Sequence, residues 1–163
     1  TGTSIPFGDI VIDHSCISKT DISNTIFKVV QSSSPNQKAA VGVLVHNNGL
    51  LVNGYPPSAF VVSRDIDEDT EEEVITYTSA WDLVKNTYDA VIMNSIGEGQ
   101  INVIGEGGNL EAGDLIVTSS TAGKGMKQSD DIVRSYTVAK VREDVTFTSL
   151  TEEKLVACIY LCG

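Results

Sequence analysis

Short runs of valine and isoleucine alternate with turn residues along most of this chain, and this spacing limits the folds that it can adopt. The turn signals recur about every 8 to 12 residues, which is typical of short strands joined by tight connections. Valine and isoleucine favour strands because β-branched side chains fit a pleated sheet. Only residues 79–86 carry a pattern that favours a helix. The sequence therefore predicts an all-β fold, a sandwich or distorted barrel of about ten to twelve short strands with at most one short helix.

The individual strands follow from these runs and from the turn residues between them. Asn48-Gly49 predicts a hairpin within residues 39–53, because both central residues of a type I′ turn need a positive φ. Ser79 is the predicted N-cap of the helix, and the glycines of residues 96–99 predict a turn between two neighbouring strands. The other predicted strands are residues 9–14, 25–31, 58–63, 74–77, 87–95, 100–104, 115–118, 132–141 and 155–161.

Residues 113–141 contain an arrangement of strands that the rest of the chain repeats loosely. They read as a Gly-Asp turn, a short apolar strand, a polar glycine-containing crossing and a returning strand. GDIVIDHS at residues 8–15 matches GDLIVTSS at residues 113–120, and a valine-rich strand follows each copy. We therefore predict one domain over residues 1–163 built from two related β-units. The predicted limits are about residues 8–55 for the first unit, 56–105 for an insertion and 106–163 for the second unit.

The net charge of −11 at pH 7 argues against nucleic acid as a partner, since binding through phosphates needs a basic surface. No stretch approaches the ~20 apolar residues that span a bilayer, so no membrane partner is predicted. Cys16, Cys158 and Cys162 are predicted to be free thiols, because they have no metal-binding C-x-x-C spacing and suit a reducing compartment.

The crossing STAGKGMKQS carries the candidate ligand-binding residues Ser119, Lys124 and Lys127. Glycines and lysines in one loop can contact a phosphate, such as that of ATP, or the carboxylates of a neighbouring subunit. A P-loop, however, needs Ser or Thr directly after its lysine and a helix after that. Here Lys124 is followed by Gly125, so the Walker pattern fails and a plain connection between strands is the favoured interpretation.

Two acids near the start of the chain, Asp9 and Asp13, are the candidate catalytic residues. A pair of carboxyl groups with different pKa values can cleave a peptide bond by activating water, although acids at strand edges are also common. The acidic run at residues 64–73 is interpreted as a solvated loop rather than a calcium site, because it lacks the EF-hand pattern. No metal site and no obligatory cofactor are predicted.

Several short motifs of this chain resemble structural and fibre proteins of tailed phages and other large DNA viruses. Residues 39–55 in particular are similar to the C-terminal intramolecular chaperone domains of phage tail spikes and neck appendages. The remaining motifs that carry the resemblance are GDLIV at residues 113–117, GKGMKQ at 123–128, DD at 130–131 and YTVAK at 136–140.

The resemblance implies a homotrimer that guides an upstream β-helical fibre segment into register, in the virion or in the host cytoplasm during assembly. Many members of that family cut themselves off through a Glu/Asp pair, and some bind nucleotide. We therefore expect a structural trimerisation module that is not an enzyme. The alternatives that stay open are a single-turnover autoproteolytic chaperone, a receptor- or glycan-binding fibre tip and a capsid decoration protein.

Overall fold

The computed structural model describes residues 4–19, 22, 25–47 and 60–162, and in these ranges it is all-β with one α-helix. The fold class predicted from the sequence is confirmed at this level. The strands are β1 (Ile10–Lys19), β2 (Thr25–Gln31), β3 (Ala40–Asn47), β4 (Val61–Ile66), β5 (Glu73–Tyr77), β6 (Val91–Asn94), β7 (Ile96–Ile104), β8 (Leu115–Thr118), β9 (Gly125–Lys127), β10 (Ala139–Val141) and β11 (Glu153–Leu161). The helix is α1 (Ser79–Thr87), and a 3-10 turn spans Gly105–Gly107.

Five of these strands close into a barrel in the order β10-β11-β7-β9-β8. β7 and β9 run parallel, while the other neighbouring pairs in the barrel are antiparallel. Four further strands form a sheet in the order β2-β1-β3-β6, and β4 pairs with β5 as a hairpin. The barrel thus combines strands from both sides of the polar crossing that the sequence singled out.

The barrel core is built from alternate residues of strands, as the period of two in a strand requires. On β11, Val156, Cys158 and Tyr160 are buried, while the residues between them face outward. The other buried members of this core are Ile10, Val43, Ile101, Val103, Leu110, Ile116, Val138, Ala139 and Val141. Most of them are β-branched, in agreement with the composition of the predicted strands.

The chain forms two compact units, each discontinuous in sequence. Among the described residues, the first comprises 4–14, 29–46 and 93–162, and the second comprises 15–19, 22, 25–28, 47 and 60–92. The first unit contains the barrel. The second contains β4, β5 and α1 around a small core in which the rings of Phe60 and Trp81 lie 5.3 Å apart. These limits differ from the three consecutive segments predicted above, and the single domain over residues 1–163 stays a prediction.

Several predicted elements lie where the sequence placed them. β2 and β8 coincide with the predicted strands at residues 25–31 and 115–118, and β11 extends the predicted strand at 155–161 by two residues. The helix begins at Ser79, but its N-cap is Thr78 and no side chain makes the capping bond, so the prediction of a Ser79 cap was wrong. The hairpin turn at Asn48-Gly49 lies outside the described residues.

The predicted glycine turn at residues 96–99 is wrong, because β7 runs straight through it and pairs with β11 from Ile96 to Ile104. A Cβ at Gly99 would lie 2.3 Å from the Tyr160 hydroxyl oxygen, so this glycine provides room for a buried ring. β6, which was expected beside β7, belongs to the other sheet. In the predicted return strand at 132–141, only β10 is extended, and β9 forms inside the predicted crossing.

The acidic run forms the exposed turn between β4 and β5. Asp67 Oδ1 accepts the backbone N–H groups of Asp69 and Thr70 at 2.9 and 3.0 Å. These bonds lower the pKa of Asp67, because they stabilise its charged form. Residues 67–72 of this run form a solvated loop, as predicted, whereas residues 64–66 belong to β4 and Glu73 begins β5.

Candidate functional site

Asp9 is a fully buried acid immediately before β1. The backbone fixes its position from both sides: the Leu44 N–H donates to the Asp9 carbonyl at 2.9 Å, and the Ile10 N–H donates to the Gly123 carbonyl at 2.7 Å. A fully buried carboxylate is costly unless it is paired and hydrogen-bonded. Its partners therefore define the candidate site.

Lys124 is the charged partner of Asp9. Its Nζ lies 2.5 Å from Asp9 Oδ1 and 3.0 Å from Glu153 Oε1. The Lys124 side chain is 10% exposed and the Glu153 side chain is 46% exposed. One ammonium group therefore lies between a buried and a half-exposed carboxylate, and the cluster opens to solvent at Glu153. We call these three residues the lysine–carboxylate cluster.

Two side-chain amides complete the surroundings of Asp9. Asn102 Nδ2 donates to Oδ1 at 2.7 Å, and Gln31 Nε2 donates to Oδ2 at 2.7 Å. Asn102 Nδ2 also donates to the Phe7 carbonyl at 2.9 Å, which ties the segment before β1 to β7. Each oxygen of the buried carboxylate thus has at least one donor, as a charge out of water requires.

Gly123 lets the loop backbone approach this carboxylate. Its φ is +75°, and a Cβ built on it would lie 2.3 Å from Asp9 Oδ2. The Gly123 N–H donates to the Ser32 carbonyl at 2.9 Å. Only glycine combines a positive φ with so close an approach at no steric cost. Gly123 therefore allows the backbone to bring the next residue, Lys124, to Asp9.

Electrostatics hold Lys124 in its charged form. Burial acts to lower its pKa, but the hydrogen bonds and charges of Asp9 and Glu153 act more strongly in the other direction. The pKa of Lys124 is therefore raised above its ordinary value. At neutral pH the resting cluster holds an ammonium group bonded to two carboxyl groups.

The structure gives the three predicted ligand-binding residues different roles. Lys127 Nζ forms an ion pair with Asp114 Oδ2 at 2.6 Å. The buried Ser119 hydroxyl donates to the Lys124 carbonyl at 2.9 Å and thereby closes the loop. Lys124 itself points to Asp9, so the three side chains do not converge on one open pocket.

The backbone N–H groups of this loop also have protein acceptors. Ser119 N–H donates to the Lys124 carbonyl at 2.9 Å, and Lys124 N–H donates to the Thr121 carbonyl at 3.1 Å. Ser120 donates both its N–H and its hydroxyl to Glu106 Oε2, at 3.0 and 2.8 Å. A phosphate that used these donors would have to displace bonds that hold the loop, and nucleotide binding stays a prediction.

The two candidate catalytic acids occupy different environments. Asp9 is fully buried in the lysine–carboxylate cluster, whereas Asp13 is exposed on β1, beyond the irregularity in strand register between Val11 and Ile12. Asp13 contributes its backbone N–H to the Ala39 carbonyl at 2.9 Å. Asp9 therefore forms an ion pair with Lys124, and the two acids do not form a carboxyl pair in the same environment. A water-activating role for either acid stays a prediction.

Sequence reasoning missed Gln31, Asn102 and Glu153 as members of the cluster. One signal was present: Asn102 is a polar residue inside the apolar run INVI at residues 101–104. A buried amide in such a strand needs a polar partner. Its partner, Asp9, is 93 residues away in sequence, and no local pattern connects the two.

The cysteines are free thiols, as predicted. Burial raises the pKa of Cys158 to about 12 and that of Cys162 to about 11, so both are protonated at neutral pH. Among the described residues, no group of three or more His, Cys, Asp or Glu side chains could hold a metal ion. The helix in that part of the chain is too short to span a bilayer.

In comparisons with protein-family models, curated proteins and solved structures, none matched this chain.

Proposed function

We propose that this chain is a structural module of a viral fibre, spike or appendage that forms a homotrimer and holds three chains in register during folding. In this proposal it acts as a C-terminal intramolecular chaperone for an upstream β-helical segment, in the virion or in the host cytoplasm during assembly. The observation that carries the proposal is the outward face of β11, which is apolar from Leu155 to Leu161.

On β11 the outward positions are Glu153, Leu155, Ala157, Ile159 and Leu161, which alternate with residues of the barrel core, and all of them except Glu153 at the start of the strand are apolar. Leu155 is 55% exposed. Ile96, which is opposite Leu161 on β7, is 72% exposed. A strand that faces solvent on one side normally alternates apolar and polar residues. A strand apolar on both faces is instead typical of a surface that a partner covers.

Polar groups lie at the middle of this face. A shallow depression of about 480 Å³ is lined by Glu98, Gln100, Arg142 and Ala157, and Arg142 forms an ion pair with Glu98. Apolar ends around a polar centre suit a subunit interface, where burial drives association and polar groups set the register.

A second copy of the same chain is the partner that fits the resemblance to trimeric fibre modules. In a closed symmetric trimer, β11 of every subunit would be buried in a subunit interface, and no copy of it would stay exposed. The net charge of −11 keeps the rest of the surface soluble and disfavours open-ended aggregation. Three chains joined at this module would begin to pair a long β shaft in register, which lowers the entropic cost of its non-local contacts.

The oligomeric state of the purified 163-residue chain tests the interface. Light scattering should give three times the chain mass of 17.4 kDa. Leu155→Lys should reduce this to the mass of one chain, because it places a charge in the buried face. Leu150→Lys is the matched control, since Leu150 is 68% exposed against 55% for Leu155 but lies outside β11. A wild-type monomer, or a Leu155→Lys trimer, would contradict the proposal.

The role in folding needs a second measurement on a longer native chain that includes the upstream fibre segment. With Leu155→Lys we expect a severalfold lower yield of refolded fibre, whereas Leu150→Lys should refold like wild type. Equal yields for all three chains would show that the module forms trimers without guiding the shaft.

A further inference from the structure

The lysine–carboxylate cluster holds an amine and a carboxyl group in contact inside the protein, with a second carboxylate beside them. We propose that Lys124 Nζ and Asp9 Cγ condense into an intramolecular amide bond, an isopeptide crosslink, and that Glu153 transfers the proton. This inference does not depend on the proposed oligomer, because every residue in it belongs to one unit of one chain.

Proximity is the first requirement, and the cluster meets it. Lys124 Nζ lies within hydrogen-bonding distance of Asp9 Oδ1, at 2.5 Å, so the amine is next to the carboxyl group that it would attack. Backbone hydrogen bonds fix the position of Asp9: its carbonyl accepts from the Leu44 N–H, and the next residue, Ile10, donates its N–H to the Gly123 carbonyl. Groups held in this way react at very high effective concentration, because the translational and rotational entropy has been lost during folding.

The carboxyl group of Asp9 is also polarised for attack. Gln31 Nε2 donates to Oδ2 at 2.7 Å, and Asn102 Nδ2 donates to Oδ1 at 2.7 Å. When nitrogen adds to Cγ, negative charge develops on these oxygens, and fixed donors in a dry site stabilise that charge. Gln31 therefore acts as the oxyanion donor to Oδ2, the oxygen that the amide keeps, whereas Asn102 holds Oδ1, the oxygen that leaves.

Glu153 supplies the proton transfer. Lys124 begins as an ammonium group and gives one proton to Glu153 Oε1, which lies 3.0 Å from Nζ. The neutral amine adds to Cγ of Asp9. Oδ1 then takes the proton from Glu153 and a second proton from Nζ, the Cγ–Oδ1 bond breaks, and water leaves. The amide keeps Oδ2 and one N–H, and Glu153 returns to its carboxylate form.

The balance of this step is complete without any co-reactant. One cation and one anion become a neutral amide and one water molecule, so the net charge of the chain does not change. Because Glu153 is half-exposed, the water has a route to solvent. The crosslink would join residues 115 positions apart in sequence and tie the segment before β1 to the β8–β9 loop.

The chain contains its own negative control. Lys127 Nζ and Asp114 Oδ2 lie 2.6 Å apart in the same region, which is nearly the same distance. This pair is more exposed, and within the described part of the chain Lys127 forms an ion pair with Asp114 alone. Proximity with greater exposure and without a second carboxylate should leave the Lys127–Asp114 pair unlinked.

The experiment is intact-mass measurement of the denatured 163-residue protein, followed by fragmentation of a proteolytic digest. We expect a mass below that of the sequence by one water molecule, and a branched peptide that joins Asp9 to Lys124. Fragment ions should show no link between Asp114 and Lys127. Glu153→Gln, which keeps the shape of the side chain but cannot take up a proton as a carboxylate does, should have its full mass and no branched peptide.

Two further variants separate the crosslink from other losses of water. Lys124→Arg keeps the positive charge and should restore the full mass, whereas a cyclic imide at Asp9 would survive this change. Asp9→Asn should lose ammonia instead of water if the amide still reacts. Should either variant fail to fold, the wild-type peptide map and Glu153→Gln still decide the question.

Wild-type protein at its full sequence mass after prolonged incubation in the folded state would overturn the proposal. So would a loss of water that persists in Lys124→Arg. A branched peptide that still forms in Glu153→Gln would overturn the proton-transfer role of Glu153.

Discussion

Lys124 and Lys127 lie three residues apart, and each bonds a carboxylate at nearly the same distance, 2.5 Å to Asp9 and 2.6 Å to Asp114. Their surroundings differ. The side chains of the first pair are 10% and 0% exposed, and those of the second are 33% and 14% exposed. Asp9 also accepts hydrogen bonds from two side-chain amides, and Lys124 donates a second hydrogen bond to the carboxylate of Glu153.

This difference shows that the distance between two charged groups says little about how much their ion pair stabilises the fold. In the more exposed pair, water reaches Lys127 and replaces the lost partner at a lower cost. In the buried pair, removing one partner leaves a charge that neither water nor protein satisfies. The Lys124–Asp9 pair therefore specifies how the segment before β1 and the β8–β9 loop meet, whereas Lys127–Asp114 is dispensable.

The largest expected effect comes from breaking the buried pair. Lys124→Met should lower the free energy of unfolding by at least about 3 kcal/mol, because it leaves the Asp9 carboxylate buried without its cation. Lys127→Met should cost less than about 1 kcal/mol. Urea denaturation of both variants measures the comparison.

Two additional variants sharpen this test. Asp9→Asn combined with Lys124→Met should recover part of the loss, because no charge then stays buried. Measuring Lys124→Met in the Glu153→Gln background separates the ion pair from the proposed crosslink. Equal losses for Lys124→Met and Lys127→Met in that background would refute the distinction between the two pairs.

A smaller effect is expected at the glycine that lets the loop reach Asp9. Gly123→Ala introduces strain at a φ of +75° and also forces its Cβ against Asp9 Oδ2. Gly108→Ala, at a φ of +90° with nothing within 4 Å of its Cβ, introduces the strain alone. We expect about 1 kcal/mol for Gly108→Ala and roughly 2 kcal/mol more for Gly123→Ala, measured as free energies of unfolding.

The outcome at Gly123 tests how tightly the loop is held. If Gly123→Ala costs no more than Gly108→Ala, the loop moves away from Asp9 freely, and the close approach does not position Lys124.

The smallest effect is expected at an exposed pair, Asp130 with Arg134, whose atoms Oδ2 and Nη2 lie 2.8 Å apart. The Arg134 hydrogen bond, followed by the Ile132 N–H, lowers the pKa of Asp130 below its ordinary value. A carboxyl group with a lowered pKa stabilises the folded state above its unfolded pKa. That contribution is lost as pH falls through the folded pKa.

An NMR titration of the Asp130 carboxyl carbon measures this shift directly. Its midpoint should lie below the ordinary aspartate value and should rise in Arg134→Met. Added salt should reduce the difference, because the pair is exposed. A midpoint that does not change in Arg134→Met would show that the arginine does not form this bond in solution.

Much of the fold could be predicted from local patterns. β2 and β8 coincide with predicted strands because runs of β-branched residues with turn residues at both ends have few other stable conformations. The glycines of residues 96–99 misled the prediction, because one of them, Gly99, serves a buried ring 61 residues away rather than a turn. No local pattern distinguishes these two uses of glycine.

The candidate site was predictable only in fragments. Asp9 and Lys124 were singled out separately, one as a cleavage acid and the other as a phosphate ligand. A lysine in a glycine-containing loop looks the same in sequence whether it faces solvent or a buried acid. Burial depends on residues brought from β2, β7 and β11, and these contributed Gln31, Asn102 and Glu153.

The sequence by itself determined the all-β class, because strand propensity and the period of two act between neighbours in the chain. It also determined the acidic surface and the apolar terminal strand. Only the tertiary structure decided that five strands close into a barrel, that one side of β11 faces outward and that Lys124 meets Asp9. The physical reason is that closure and burial bring together groups up to 115 residues apart, and their pairing energy exists only once the chain has folded.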